Sequence, residues 1–258
     1  MRYDSIMPTP EALHASPGSA LDSLEQARER LIVALDVPDA AAAAALVERL
    51  EGACRWFKVG LELFVAEGPR VLEPLLANRC SVFLDLKLHD IPNTVAGAVR
   101  SAARLGVRML TLHAGGGPAM LAAARTALEG VPHPPQLLAV TVLTSIDQAQ
   151  ADAVGLGRSP AQQVELLARM GMEAGIRGFV CSPEEVARLR AIAGPQAVLV
   201  IPGIRPAGAA AGDQKRIATP AEALRQGANY LVVGRPITLA PQPARAATAI
   251  LQEMAAVL

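Results

Sequence analysis

The sequence predicts a single (β/α)8 barrel behind a short N-terminal extension. Three observations carry that prediction. Eight short, apolar runs alternate with eight Ala/Leu/Arg/Glu segments of helical period. No linker interrupts the alternation. Charged residues recur at the carboxyl ends of the runs, where barrel enzymes hold their active sites.

In order, the predicted strands are LIVALDV (31–37), RWFKVG (55–60), SVFLDLK (81–87), VRMLTLH (107–113), QLLAVTVL (136–143), IRGFVCS (176–182), AVLVIPG (197–203) and YLVVGR (230–235). The helical period falls over 39–51, 62–78, 93–105, 117–129, 160–173, 183–193, 219–226 and 242–257. Pro38-Asp39, Ser182-Pro183 and Thr219-Pro220 supply helix-start signals. Ser145 to Ser159 and Arg205 to Ile217 read as longer loops after the fifth and seventh strands, and long βα loops usually carry function. A doubly wound open sheet is the alternative. Its glycine-rich turn after the first strand is missing, and Asp36-Val37-Pro38 stands there instead.

Residues 1–30 read as an arm with a lead-in helix starting between Ser19 and Leu21, and 31–258 as the barrel and catalytic domain. The arm is polar, contains proline and shows no signal-peptide core, and no apolar run approaches the ~20 residues of a membrane span. The charge balance, 24 basic against 24 acidic residues, argues against a nucleic-acid binder. Cys54, Cys80 and Cys181 are odd in number and lack ligand spacing, so they read as buried thiols of a reducing compartment. The cytoplasm is the expected location.

Side chains alternate along a strand, so one set in a barrel faces the helices and the other the lumen. Leu31, Val33 and Leu35 form one set of the first strand, leaving Asp36 with Ile32 and Ala34. Phe57 and Val59 leave Lys58 with Trp56; Val82, Leu84, Leu86 and Leu88 leave Asp85 and Lys87 with Phe83. If the aliphatic sets pack under the helices, Asp36, Lys58, Asp85 and Lys87 converge on one rim. A structural ion-pair network plugging the barrel mouth is the other reading. Buried charges rarely stabilise more than apolar packing, and four on one rim favour function.

His113 and His89 have no second ligand at metal spacing; both read as hydrogen-bonded structural histidines, and no metal is expected. IPGIRP (201–206) and VVGRPIT (232–238) close the last two strands. A lone Gly234-Arg235 is an ordinary turn, but at the end of the eighth strand it fits a phosphate site. Gly115-Gly116-Gly117 fits an anion cradle or a tight turn equally well.

The segment DLKLHDIPNTV (85–95) carries the pattern D-x-K-x-x-D-I-P-x-T, and with LIVALDV, FKVGLELF, VTVLTS, VIPGIRP and VVGRPIT it resembles the orotidine 5′-phosphate decarboxylase family from about residue 31 onward. Sister sugar-phosphate barrels share D-x-K-x-x-D and use Mg²⁺; the continuation I-P-N-T, with the phosphate-loop segments, selects the orotidine member. The resemblance implies decarboxylation of orotidine 5′-phosphate to UMP in pyrimidine biosynthesis, with no cofactor. It implies an alternating array of Lys58, Asp85, Lys87 and Asp90, with Lys87 as proton donor to C6. Asp36 and Lys58 would contact the ribose, Thr144 the pyrimidine, and Arg205, Gln214, Gly234 and Arg235 the phosphate. Asp90 and Thr94 would reach the site of the partner in a homodimer. A phosphate-ligand sensor without turnover is the reading from a different class.

Overall fold

The computed structural model describes residues 20–206 and 216–258. The expected lead-in before Ala20, and Gln214, lie outside the described residues. The chain opens with α1 (Ala20–Arg28), β1 (Leu31–Ala34), α2 (Ala40–Arg49), β2 (Trp56–Gly60), α3 (Leu61–Glu67), α4 (Leu72–Ala77) and β3 (Ser81–Leu88). It continues through α5 (Pro92–Arg104), β4 (Met109–His113), α6 (Gly117–Thr126), β5 (Gln136–Val140), α7 (Gln148–Ala153), α8 (Pro160–Glu173) and β6 (Gly178–Val180). The last elements are α9 (Val186–Ala193), β7 (Val198–Ile201), α10 (Pro220–Arg225), β8 (Tyr230–Val233), α11 (Arg235–Thr238) and α12 (Pro243–Ala255).

The eight strands are all parallel and close in sequence order, β1 pairing with β8. The expected (β/α)8 barrel is therefore the fold. Alternation sorts the core into two shells. Ile32, Ala34, Trp56, Phe83, Met109, Leu138, Val200 and Val232 fill the lumen. Leu31, Val33, Leu35, Phe57, Val59, Val82 and Leu84 pack between the sheet and the helices. At the amino end of the lumen the rings of Trp56 and Tyr230 meet at 5.3 Å between centroids. Helix α1 packs on α12 with Ala27 fully buried, so the lead-in helix joins the outer shell.

The expected caps are in place. Asp39 accepts from the Ala42 amide at 2.8 Å, and Ser182 and Thr219 each head a capping box. Three differences have physical causes. The 62–78 segment breaks into α3 and α4, because Gly68 adopts φ +65° and Pro69 follows it, forcing a 3₁₀ turn. The segment from 183 likewise begins as a 3₁₀ turn over Pro183–Glu185. The loop after β5 contains α7, six residues headed by an Asp147–Gln150 capping box and too short to show an apolar period. No helix among the described residues is long and apolar enough to cross a membrane.

Candidate active site

The carboxyl ends of the strands open into a cavity of about 680 Å³. Its lining includes Asp36, Lys58, Asp85, Lys87, Thr144, Arg205, Gly234 and Arg235. Eight residues singled out in the sequence thus meet in one place, although they come from six different strand ends. Asp90 and Thr94 do not: both are exposed, outside the cavity lining, and Asp90 caps its own loop by accepting from the Ile91 amide at 2.6 Å.

The charged side chains form a continuous row of alternating sign. Lys58 Nζ donates to Asp36 Oδ1 at 2.8 Å and lies 3.6 Å from Asp85 Oδ2. Lys87 Nζ donates to both oxygens of Asp85 at 2.9 Å. The middle of the row is the most buried: the Asp36 side chain is 58% exposed and that of Lys87 32%, those of Lys58 and Asp85 only 11%. Burial pushes the Asp85 carboxyl up, but the Lys58 and Lys87 charges and hydrogen bonds from Lys87 and Thr111 outweigh it. Its pKa therefore lies below the ordinary aspartate value, and it stays ionised.

The end of β3 departs from a regular strand. Leu84 pairs with Leu110 and Leu88 with Leu112, so Asp85, Leu86 and Lys87 together face Thr111. Lys87 sits in the left-handed region at φ +48°, which costs an L-residue about 1–2 kcal/mol. Alternation gives the correct side for Asp85 and Lys87, but the bulge is what brings the lysine back over the carboxylate.

Two residues that the sequence reading passed over support the row. Thr111, fully buried on β4, donates to Asp85 Oδ1 at 2.9 Å and accepts from the Lys87 amide at 2.9 Å. Lumen alternation with Met109 could have marked it. Gly60 ends β2, where an added Cβ would lie 2.9 Å from Lys58 Nζ and 3.4 Å from Asp36 Oδ1. Its missing side chain leaves room for that ion pair. A third, Arg216, is buried against Glu185 and donates to the Leu143 carbonyl at 2.9 Å, fixing the residue before Thr144.

The arginines follow β7 and β8, and β8 pairs with β1. Arg205 is 7% exposed and donates to the Ile204 carbonyl at 2.8 Å; Arg235 is exposed and starts α11 directly after Gly234. A Cβ at Gly234 would lie at ordinary contact distance from Ala34 and Asp36.

The imidazoles of His89 and His113 stack at 5.1 Å, and His113 Nδ1 accepts from the Gly115 amide at 3.2 Å. Burial, then the neighbouring His89 and Lys87, lowers the His113 pKa. A side chain at Gly116 would run into Met120 and approach His89, one at Gly115 would press on His113, and Gly117 turns through φ +85°. Of the cysteines, Cys54 and Cys181 are buried and Cys80 partly so, all three free. Burial pushes the Cys54 thiol up to about 12.

A parallel (β/α)8 barrel with an alternating acid–base row on its carboxyl rim defines a barrel enzyme whose site is built from charged side chains. More narrowly, the chain belongs to the Orotidine 5'-phosphate decarboxylase / HUMPS family, whose model matches residues 29–250. It is similar to an orotidine 5'-phosphate decarboxylase of Moorella thermoacetica, 52% identical over 234 residues covering 88% of this chain and 93% of that one. One from Anaeromyxobacter sp. strain K is 56% identical over 223 residues, 86% and 96% of the two chains. The crystal structure of orotidine 5'-phosphate decarboxylase from Lactobacillus acidophilus superposes with a TM-score of 0.77 at 39% identity, covering 87% of this chain and 98% of that one.

Proposed function

We propose that this chain is a carboxy-lyase that converts orotidine 5′-phosphate to UMP and CO2 in de novo pyrimidine biosynthesis, without a cofactor, through a C6 carbanion protonated by Lys87. The observation that carries the reading is the Asp36–Lys58–Asp85–Lys87 row lining the same cavity as Arg205, Gly234 and Arg235. The cavity volume suits a nucleotide, since small-molecule sites run from about 300 to 1,000 Å³. The decarboxylase relatives, above 50% identical over most of the chain, support the same substrate.

Breaking the C6–carboxylate bond releases CO2 and leaves its electron pair on C6, with no adjacent carbonyl to delocalise it. Fixed positive charge must then stabilise the carbanion, and the Lys87 ammonium is the cation placed for it. A proton passes from Lys87 Nζ to C6, and the neutral amine regains one from solvent. Asp85 holds Lys87 and lies beside the departing carboxylate. Asp36 and Lys58 bind the ribose, Thr144 the pyrimidine, and Arg205, Gln214, Gly234 and Arg235 the phosphate. Gripping the remote phosphate contributes binding energy that organises the charged row.

The site is shared between two subunits in this reading, with Asp90 and Thr94 crossing to the partner. Their position outside their own cavity supports it. So does exposed apolar surface: Ile91, next to Asp90, is 67% exposed, and Leu61 and Val65 on α3 are 53% and 79% exposed. Three free cysteines are compatible with a cytoplasmic location.

The test is the loss of orotate absorbance on incubation with orotidine 5′-phosphate in the presence of EDTA. Turnover at an undiminished rate is expected. Activity abolished by EDTA would point to a metal-dependent sister reaction, and UMP binding without turnover to a sensor.

A further inference from the structure

We infer that Thr111 is a positioning residue for this reaction, its hydroxyl locking the Lys87 backbone and the Asp85 carboxylate into one unit. The inference rests on the proposed role of Lys87 as acid. Thr111 is fully buried and outside the cavity lining, so it acts through its two partners and not on the substrate.

Between the Leu84–Leu110 and Leu88–Leu112 pairs, three residues of β3 stand opposite the single residue Thr111. A regular ladder offers one residue to one, so the excess must bulge, and bulges re-aim side chains beside active sites. Here the bulge turns Lys87 to φ +48°. Its amide then takes a side chain as partner, donating to Thr111 Oγ1 at 2.9 Å. The same oxygen donates its proton to Asp85 Oδ1 at 2.9 Å. One hydroxyl thus bonds the backbone of the lysine and the carboxylate that the lysine's own ammonium grips from the other side.

Packing alone does not require oxygen there. The lumen cluster beneath this level, including Met109, Phe83 and Ile32, is apolar, and valine has nearly the same shape as threonine. Thr111→Val would keep the volume while removing both hydrogen bonds. The Lys87 amide would lose its partner, and the left-handed turn its brace. The ammonium would remain attracted to Asp85 but would no longer be held at one position over the reacting carbon, where small displacements are costly to rate.

The experiment compares wild type, Thr111→Val and Thr111→Ser for turnover of orotidine 5′-phosphate and for affinity toward UMP, with Lys87→Ala assayed alongside. Thr111→Val is expected to lose kcat on the order of 10–100-fold with UMP affinity within about twofold of wild type. Thr111→Ser, which keeps the hydroxyl and loses the methyl, is expected to stay within about threefold in kcat. A role in packing alone predicts the opposite order, with serine the more damaged, and that order would overturn the inference; if the valine protein failed to fold, a kcat loss beyond about tenfold in Thr111→Ser would overturn it. Wild-type kcat in Thr111→Val would overturn it as well. If Lys87→Ala retained turnover, the Lys87 reading itself would fall. An inactive Lys87→Ala beside an unimpaired Thr111→Val would remove only the role given to Thr111.

Discussion

Asp85 is the most constrained residue of the site. It is almost wholly buried, yet three groups hold it ionised: Lys58 from β2, Lys87 from its own strand and Thr111 from β4. Its pKa is depressed in the folded chain, so its contribution to stability is present above the ordinary aspartate range. That contribution is lost as pH falls below this range, through the folded value. Removing one cation changes the balance. In Lys58→Met, burial is opposed by Lys87 and Thr111 alone, and the Asp85 pKa should rise. Carboxyl NMR titration of that variant checks the direction independently of turnover; an unshifted Asp85 would mean that Lys58 does not contribute. At this scale the sequence showed the charges and hid their supports. Asp36, Lys58, Asp85 and Lys87 stand out because ionised groups are rare in apolar runs. Thr111 and Gly60 do not, because one small hydroxyl and one missing side chain in a strand have many ordinary explanations.

Each element places its functional residue at an end, and ends are where local pattern is weakest. Strand starts were legible from apolar runs, but most strands stop short of the predicted carboxyl ends, β1 at Ala34 and β5 at Val140. Beyond those points the backbone leaves the ladder to build the site. The bulge in β3 was invisible, since three residues facing one depends on how β4 is registered. Helix α7 and the break at Gly68 were missed for the same reason, being short-range events inside a longer pattern. The buried Glu185–Arg216 pair joins the turn after β6 to the chain leading into α10, and Arg216 also holds the Leu143 carbonyl after β5. Arg216→Met would leave Glu185 buried without its counter-charge and should destabilise the fold by about 3–5 kcal/mol. Urea unfolding measures this, and a loss below about 1 kcal/mol would show the pair to be dispensable.

For the whole molecule, the closed barrel explains how residues from distant parts of the chain meet in one cavity, and the fold class was readable because alternation and helical period repeat eight times. Assembly is less legible: exposed Ile91, Leu61 and Val65 say that apolar surface is present but carry no sequence signature of a partner. The shared-site proposal has its own check. Mixing inactive Lys87→Ala and Asp90→Ala proteins should restore part of the activity, because hybrid dimers would contain one intact site. No recovery despite demonstrated subunit exchange would count against it. The central claim is that the Lys87 ammonium, held over Asp85, protonates the carbon that loses CO2. CO2 release from orotidine 5′-phosphate by Lys87→Ala, in a protein shown to keep its fold and to bind UMP, tests it most directly. The account predicts no detectable turnover; near-normal turnover would contradict it.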